Sequence, residues 1–208
     1  MAGGFLGRVA SDTLGLSDIG KIIAPQDFDK VEGDDYILQE DGERIFYVIK
    51  SKTDEYVFTN YALIHVDGKS ALEKKRLVKR YDFKNQRLSD VMLETAGTLD
   101  LDIEIKFSIN EKAFSIDVDK KQLPQLKQLY KSLIEISNIQ MHNDTLFADG
   151  VNGLKMANED LSRNIIQGDI VEVTEKLTNF NLDWMAALRK EYQIRDFSRA
   201  YDKYKLEK

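Results

Sequence analysis

The sequence of 208 residues predicts an α+β protein, with a small antiparallel β domain first and an α-rich extension after it. Three observations predict this. Leu99, Leu101, Ile103, Ile105 and Phe107 alternate with Asp100, Asp102, Glu104, Lys106 and Ser108; after Asn110-Glu111 the alternation resumes, with Phe114, Ile116 and Val118 inward and Ser115 and Asp117 outward. Strict period-2 patterning of this kind is an antiparallel hairpin with one dry and one wet face. Counting upstream runs, about seven short strands fall within roughly ninety residues, with turn residues every 8 to 12 or so and no helical period among them, which is the pattern of a small barrel or sandwich. From Leu123 onward the apolar spacing becomes helical and stays helical.

The elements follow in order. Phe5, Leu6, Val9, Leu14, Leu16, Ile19, Ile22 and Ile23 stand at loosely helical spacing among Gly3, Gly4, Gly7, Gly15 and Gly20, predicting a short helix or two turns docked on the body. The segment lacks the Lys/Arg-rich face of an interfacial membrane anchor, and Ala24-Pro25 ends it. A short strand at Tyr36 to Gln39 and a turn at Glu40-Asp41-Gly42 come next. Ile45 to Ile49, Tyr56 to Phe58 and Leu63 to Val66 are β-forming runs separated by Asp54-Glu55, Asn60 and Asp67-Gly68. Leu77, Val78, Tyr81 and Phe83, then Val91 to Leu93, supply two more strands before the hairpin. Leu123, Leu126, Leu129, Tyr130, Leu133, Ile134 and Ile136 predict a first amphipathic helix with Pro124 in its first turn. Leu146 to Ile165 predict a second. Asp169 with Glu172 resembles a capping box opening a third. Its Ile170, Val173, Leu177, Phe180, Trp184 and Ala187 follow 3-4-3-4-3 spacing, a coiled-coil seam. The stripe continues through Leu188, Tyr192, Phe197 and Tyr201, so one helix of roughly 50 Å is expected from Asp169 to about Tyr204. Such a helix buries only part of its stripe against one partner and leaves the rest for another subunit.

Composition excludes several function classes. A formal net charge of −6 argues against a general nucleic-acid binder. The absence of cysteine removes disulfides, thiolate nucleophiles and Cys-based metal sites. Neither a signal-peptide core nor a membrane-spanning run of about 18 apolar residues is present. A soluble cytoplasmic protein is the expectation.

Particular stretches resemble the bacterial pleckstrin-homology (PH) family: Asp41-Gly42-Glu43-Arg44, Val57-Phe58-Thr59-Asn60 with Leu63-Ile64, and Glu94-Thr95-Ala96-Gly97-Thr98-Leu99-Asp100-Leu101-Asp102. The tail from about Met141 resembles the YvbH-like oligomerisation extension. Ser70-Ala71-Leu72-Glu73 stands where the family commonly carries another glycine. The resemblance implies a seven-stranded antiparallel PH-like barrel capped by a C-terminal helix over residues 1–140, followed by a long helical hairpin over 141–208. It further implies a non-enzymatic homo-oligomer, cyclic in form, that serves as a platform for a protein partner.

No constellation for chemistry stands against that. His65 lies in an apolar strand run and His142 in an expected inter-helix turn, without a second His or Cys at ligand spacing. Asp100 and Asp102 at i and i+2 read as the wet face of a strand, not as a catalytic pair. No phosphate loop, GxSxG elbow or HExxH occurs. Neither cofactor nor metal is expected. Lys74, Lys75, Arg76, Lys79, Arg80, Lys84 and Arg87 stand against only Glu73 and Asp82, while Gln26 to Arg44 carries eight acidic side chains against Lys30 and Arg44. The opposite signs suit a head-to-tail subunit contact through Lys74, Lys75, Arg76 and Lys79, with Ile170, Leu177 and Trp184 as the helical contacts. The alternative is peripheral recognition of anionic lipid by the same basic strand. The wet face of Asp100, Asp102, Glu104 and Lys106 is the candidate surface for a protein partner.

Overall fold

A computed structural model describes residues 19–68, 76–95, 102–163 and 169–205. The expected N-terminal helix up to Asp18, Lys74 and Lys75, the Ser70–Glu73 departure, the start of the hairpin with Leu99, Asp100 and Leu101, and the break at Gln167-Gly168 lie outside the described residues.

Among the described residues there are eight strands in two antiparallel sheets. The first sheet has the order β1 (Lys21–Ile22), β2 (Ile45–Lys50), β3 (Asp54–Thr59), β4 (Ala62–Asp67) and β5 (Leu77–Asp82); the second has β6 (Leu88–Glu94), β7 (Asp102–Ile109) and β8 (Lys112–Asp119). The expected count of seven is exceeded, and Tyr36 to Gln39 is not one of the strands. Residues 25–41 instead form three successive 3-10 turns. The extra strand is the two-residue β1, which pairs Lys21 with Lys50 and Ile22 with Ile49. One residue earlier, Gly20 bridges β8: its N–H donates to the Asp117 carbonyl at 2.9 Å and its carbonyl accepts from Asp119 N–H at 3.0 Å. The chain thereby stitches the two sheets along one side. A Cβ at Gly20 would lie 2.7 Å from the Asp117 oxygen and 2.8 Å from Ile49 Cγ2, so the crossing requires glycine.

Two cores flank the first sheet. Val48, Val57 and Ile64 point to one side, where Ile23, just after β1, and Val31, between the first two 3-10 turns, pack with them. On the other side Phe58 meets Phe107 of the second sheet edge-on at 6.0 Å, and Phe107 stacks on Phe114 at 4.9 Å. The hairpin behaves as its pattern requires: Ile103, Ile105, Phe107 and Ile109 are buried, alternating with partly exposed Asp102, Glu104, Lys106 and Ser108. Its two-residue turn puts Asn110 at φ 51°, a conformation Asn tolerates.

Helix α1 runs without interruption over Leu123–Ser162. Two separate helices were expected here, with His142 in the turn between them; His142 lies within the helix. Leu126, Leu129, Leu133 and Ile136 form its buried face. Helix α2 spans Ile170–Tyr192, opened by Asp169, whose carboxylate accepts the Val171 N–H at 2.8 Å. The single helix expected from Asp169 to Tyr204 stops at Tyr192; a separate short α3 follows at Ser198–Asp202. The described residues fall into two compact units, one reaching to Ser137 and resuming at Arg195, the other Asn138–Ile194. The chain thus returns to the first unit after the second.

Candidate protein-interaction surfaces

The two short stretches that most resemble the family in the first half of the chain meet in space. Asn60 Oδ1 accepts the Arg44 N–H at 2.8 Å and Asn60 Nδ2 donates to the Gly42 carbonyl at 3.3 Å. Thr59 Oγ1 accepts the N–H groups of Tyr61 and Ala62 at 3.0 and 2.9 Å and donates to Glu43 Oε1 at 2.5 Å. The Glu43 side chain is fully buried, a costly place for a carboxylate. It is matched by the Leu38 N–H at 2.8 Å and by both terminal nitrogens of Arg80 at 3.0 and 3.1 Å. Asp41-Gly42-Glu43-Arg44 and Thr59-Asn60 therefore form one hydrogen-bonded knot, which ties the acidic 3-10 segment to β5.

This geometry redirects the charge complementarity expected between subunits. Arg80 pairs with Glu43 and, through Nε, with Asp82 at 2.9 Å; Arg76 pairs with Glu32 at 3.3 Å. Acidic segment and basic strand meet within one chain. Lys79 lies half-buried on β5 opposite His65. Nothing in these pairings supplies an unopposed cationic face at Arg76 or Arg80 for an anionic headgroup.

Asp102, Glu104 and Lys106 all stand on the polar face of the second sheet. Lys106 pairs with Glu94 of β6 and with Glu104 at 2.9 Å. Its bonds to Glu94, then to Glu104, raise its pKa above the ordinary lysine value, and the same Lys106 bond holds the Glu94 carboxyl below its usual range. Register adds Asp117 opposite Glu104 and Asp119 opposite Asp102. The face is acidic with a central lysine, and exposed Met92 stands opposite Lys106.

His65 is a strand histidine with a hydrogen-bonded role. Its ring stacks on Tyr56 at 4.4 Å and its Nε2 lies 3.0 Å from Asp54 Oδ1. Among the described residues no group of three or more His, Cys, Asp or Glu is arranged to hold a metal ion.

In the second unit, Val173, Leu177, Asn181, Met185, Leu188 and Tyr192 are half-buried on one side of α2. The Asn181 and Asn158 amides exchange hydrogen bonds at 3.3 and 3.4 Å, and Trp184 Nε1 donates to the Gly150 carbonyl at 3.2 Å. Gly150 admits Leu188 so closely that a Cβ there would lie 2.5 Å from its Cδ2. No residue of α2 is buried. Of the expected seam, Val173 and Leu177 serve this contact, whereas Ile170 is 63% exposed, Phe180 53% and Trp184 42%. Helical drift over 23 residues explains the split: a straight helix rotates a 3-4 stripe away from a single line of contact.

The sequence reading missed the segment after α2 as a separate feature. Phe197, Ala200 and Tyr201 are almost fully buried in the first unit. Phe197 N–H donates to the Asn60 carbonyl at 2.9 Å, and its ring meets Phe83 edge-on at 6.0 Å. Tyr201 stacks on Phe46 at 4.5 Å. The aromatic residues were legible; their departure from the α2 helix was not.

Comparison with known proteins places this architecture. The bacterial PH domain model matches residues 13–137, more than half of the chain. The chain belongs to the bacterial PH domain family. A second model, the YvbH-like oligomerisation region, matches residues 150–205. The chain is 47% identical to protein YvbH of Bacillus subtilis (strain 168) over 198 residues, which cover 95% of this chain and 97% of that one. A crystal structure of a PH-domain-containing protein from Exiguobacterium sibiricum 255-15 superposes with a TM-score of 0.84 at 44% identity, covering 90% of this chain and 99% of that chain. In this bacterial PH protein no helix among the described residues is long and apolar enough to cross a membrane.

Proposed function

We propose that this bacterial PH protein is a non-enzymatic, homo-oligomeric scaffold. Its PH-like barrel is the presented module, and α1 and α2 pair as a helical hairpin that joins subunits into a closed ring. The observation that carries the reading is α2 itself: a 23-residue helix without one buried residue, with Ile170, Phe180 and Trp184 exposed, inside the stretch that matches an oligomerisation region. Exposed large apolar side chains gathered on one helix fit an association surface. Ile170 and Trp184 are the proposed helical contacts, with half-buried Leu177 at their edge. A ring repeats the acidic face of Asp102, Glu104 and Lys106, so each partner contact is multiplied by avidity. A basic segment of a protein partner fits that face in charge. No charge of Arg76 or Arg80 is left over for an anionic lipid, and this favours the scaffold over the membrane reading.

The test is the mass of the particle. Ile170→Asp with Phe180→Asp places carboxylates on the exposed stripe, at positions outside the half-buried side of α2. Light scattering should find a smaller particle than the parent chain, at unchanged helical content by circular dichroism. An unchanged mass would refute association through this stripe.

A further inference from the structure

The region matching the oligomerisation model ends in a segment unlike its two helices. Among its described residues, only Phe197, Ala200 and Tyr201 are buried, and all three sit on the PH-like unit. Their seat is a ready-made groove. Phe46 and Tyr47 of β2 line it under Tyr201, at 4.5 and 6.1 Å between ring centroids; Phe83 lies under Phe197. The knot provides its edge: the Asn60 carbonyl takes the Phe197 N–H, and Arg195 lies 4.2 Å over the Tyr61 ring while pairing with Asp41 at 3.2 Å. Arg44–Asp202 at 3.5 Å and Lys203–Glu135 at 2.8 Å close the rim. The residues between α2 and α3, Gln193 to Phe197, are not helical, which gives this strap a hinge.

We propose that in the assembled oligomer the strap is exchanged: residues 195–205 of one copy seat in the groove of the neighbouring copy. This inference rests on self-association being real. A strap and a groove are two different surfaces, and a contact between unlike surfaces repeats from subunit to subunit, closing as a ring where its rotation divides a full turn. The groove already accepts this very segment, so a second copy needs no new complementarity; only the hinge takes a different path. Exchange of an identical element is a low-cost route to assembly for that reason. It also supplies what the helices lack, a fully buried aromatic anchor inside the oligomerisation region. The knot then gains a role beyond folding, because Asp41, Asn60 and Tyr61 form the edge on which the neighbour's strap is held.

The chain has no cysteine, so introduced thiols report cleanly. Arg44 and Asp202 face each other across the rim with side chains more than half exposed, and such a pair is lost at little cost. A chain carrying both Arg44→Cys and Asp202→Cys is treated with a short bis-maleimide at its assembled concentration and run on a denaturing gel. Exchange gives a ladder of covalently linked chains. Co-expressed chains carrying one substitution each should give a linked pair that contains both. A linked single-chain band alone, in a particle that light scattering still finds oligomeric, would overturn exchange and leave self-association standing. A monomeric particle would overturn self-association and exchange together.

Discussion

Replacing Arg80 with Met removes two charge-assisted hydrogen bonds from Glu43 and keeps the length of the side chain. The Glu43 carboxylate is then left with the Leu38 N–H and the Thr59 hydroxyl, in a site where its side chain has no exposed surface. Stranding one member of a buried ion pair costs about 3–5 kcal/mol. The Arg80 side chain is 24% exposed, so water relieves part of this and about 3 kcal/mol is expected. The assay is urea unfolding followed by far-ultraviolet circular dichroism. Tryptophan fluorescence is the wrong probe, because Trp184 is the only tryptophan and lies in the other unit. Glu43→Gln combined with Arg80→Met should lose clearly less than the two single losses added together, since the amide needs no counter-charge. A loss below about 0.5 kcal/mol for Arg80→Met would refute the knot as a stabilising device, as would strict additivity of the pair.

Two further outcomes follow from side chains on the two faces of the first sheet. Burial pushes the Tyr47 hydroxyl up to about 12, and burial, aided by the Asp54 charge, does the same for Tyr56. An unfolded tyrosine ionises near pH 10, so between about pH 10 and 12 the unfolded state loses protons that the folded state keeps, and stability falls as pH rises. Tyr47→Phe should make this decline shallower; an identical urea midpoint at about pH 9 and pH 11 for the parent chain would contradict it. The pairing of Arg76 and Arg80 within the chain predicts no salt-sensitive co-sedimentation with anionic vesicles. Binding that weakens as salt rises would restore the lipid reading.

What the sequence makes legible is what one buried face dictates. Ile103 to Ile109 alternate in the structure as they do in the pattern, because a one-residue slip would turn every apolar group to water. Leu126, Leu129, Leu133 and Ile136 are legible for the same reason at helical spacing. Where local signals were weak, tertiary context decided. Met141-His142-Asn143-Asp144 reads as a turn, yet the intrinsic penalty of His, Asn and Asp in a helix is only some tenths of a kcal/mol each, and α1 passes through them. The helix expected to persist despite Gly150 does so, and Gly150 is a contact with Leu188. Tyr36-Ile37-Leu38-Gln39 has strand composition, but Glu43 takes the Leu38 N–H that a strand would use for pairing. The charge pattern was legible in sign, but not that residues 32 and 76, and 43 and 80, meet within one chain. The local mark at the end of α2 is slight: no glycine or proline stands between Tyr192 and Phe197, and the one cap is Asp196, whose carboxylate accepts the Ser198 N–H at 2.7 Å. Contacts from more than a hundred residues away hold Phe197 and Tyr201 off the helix.

Native mass spectrometry of the purified 208-residue chain tests the central claim most directly. The account predicts one dominant species at an integer multiple of 23.9 kDa, with no continuous ladder of sizes, because a ring closes at a fixed number. A single peak at 23.9 kDa across the micromolar range would contradict it.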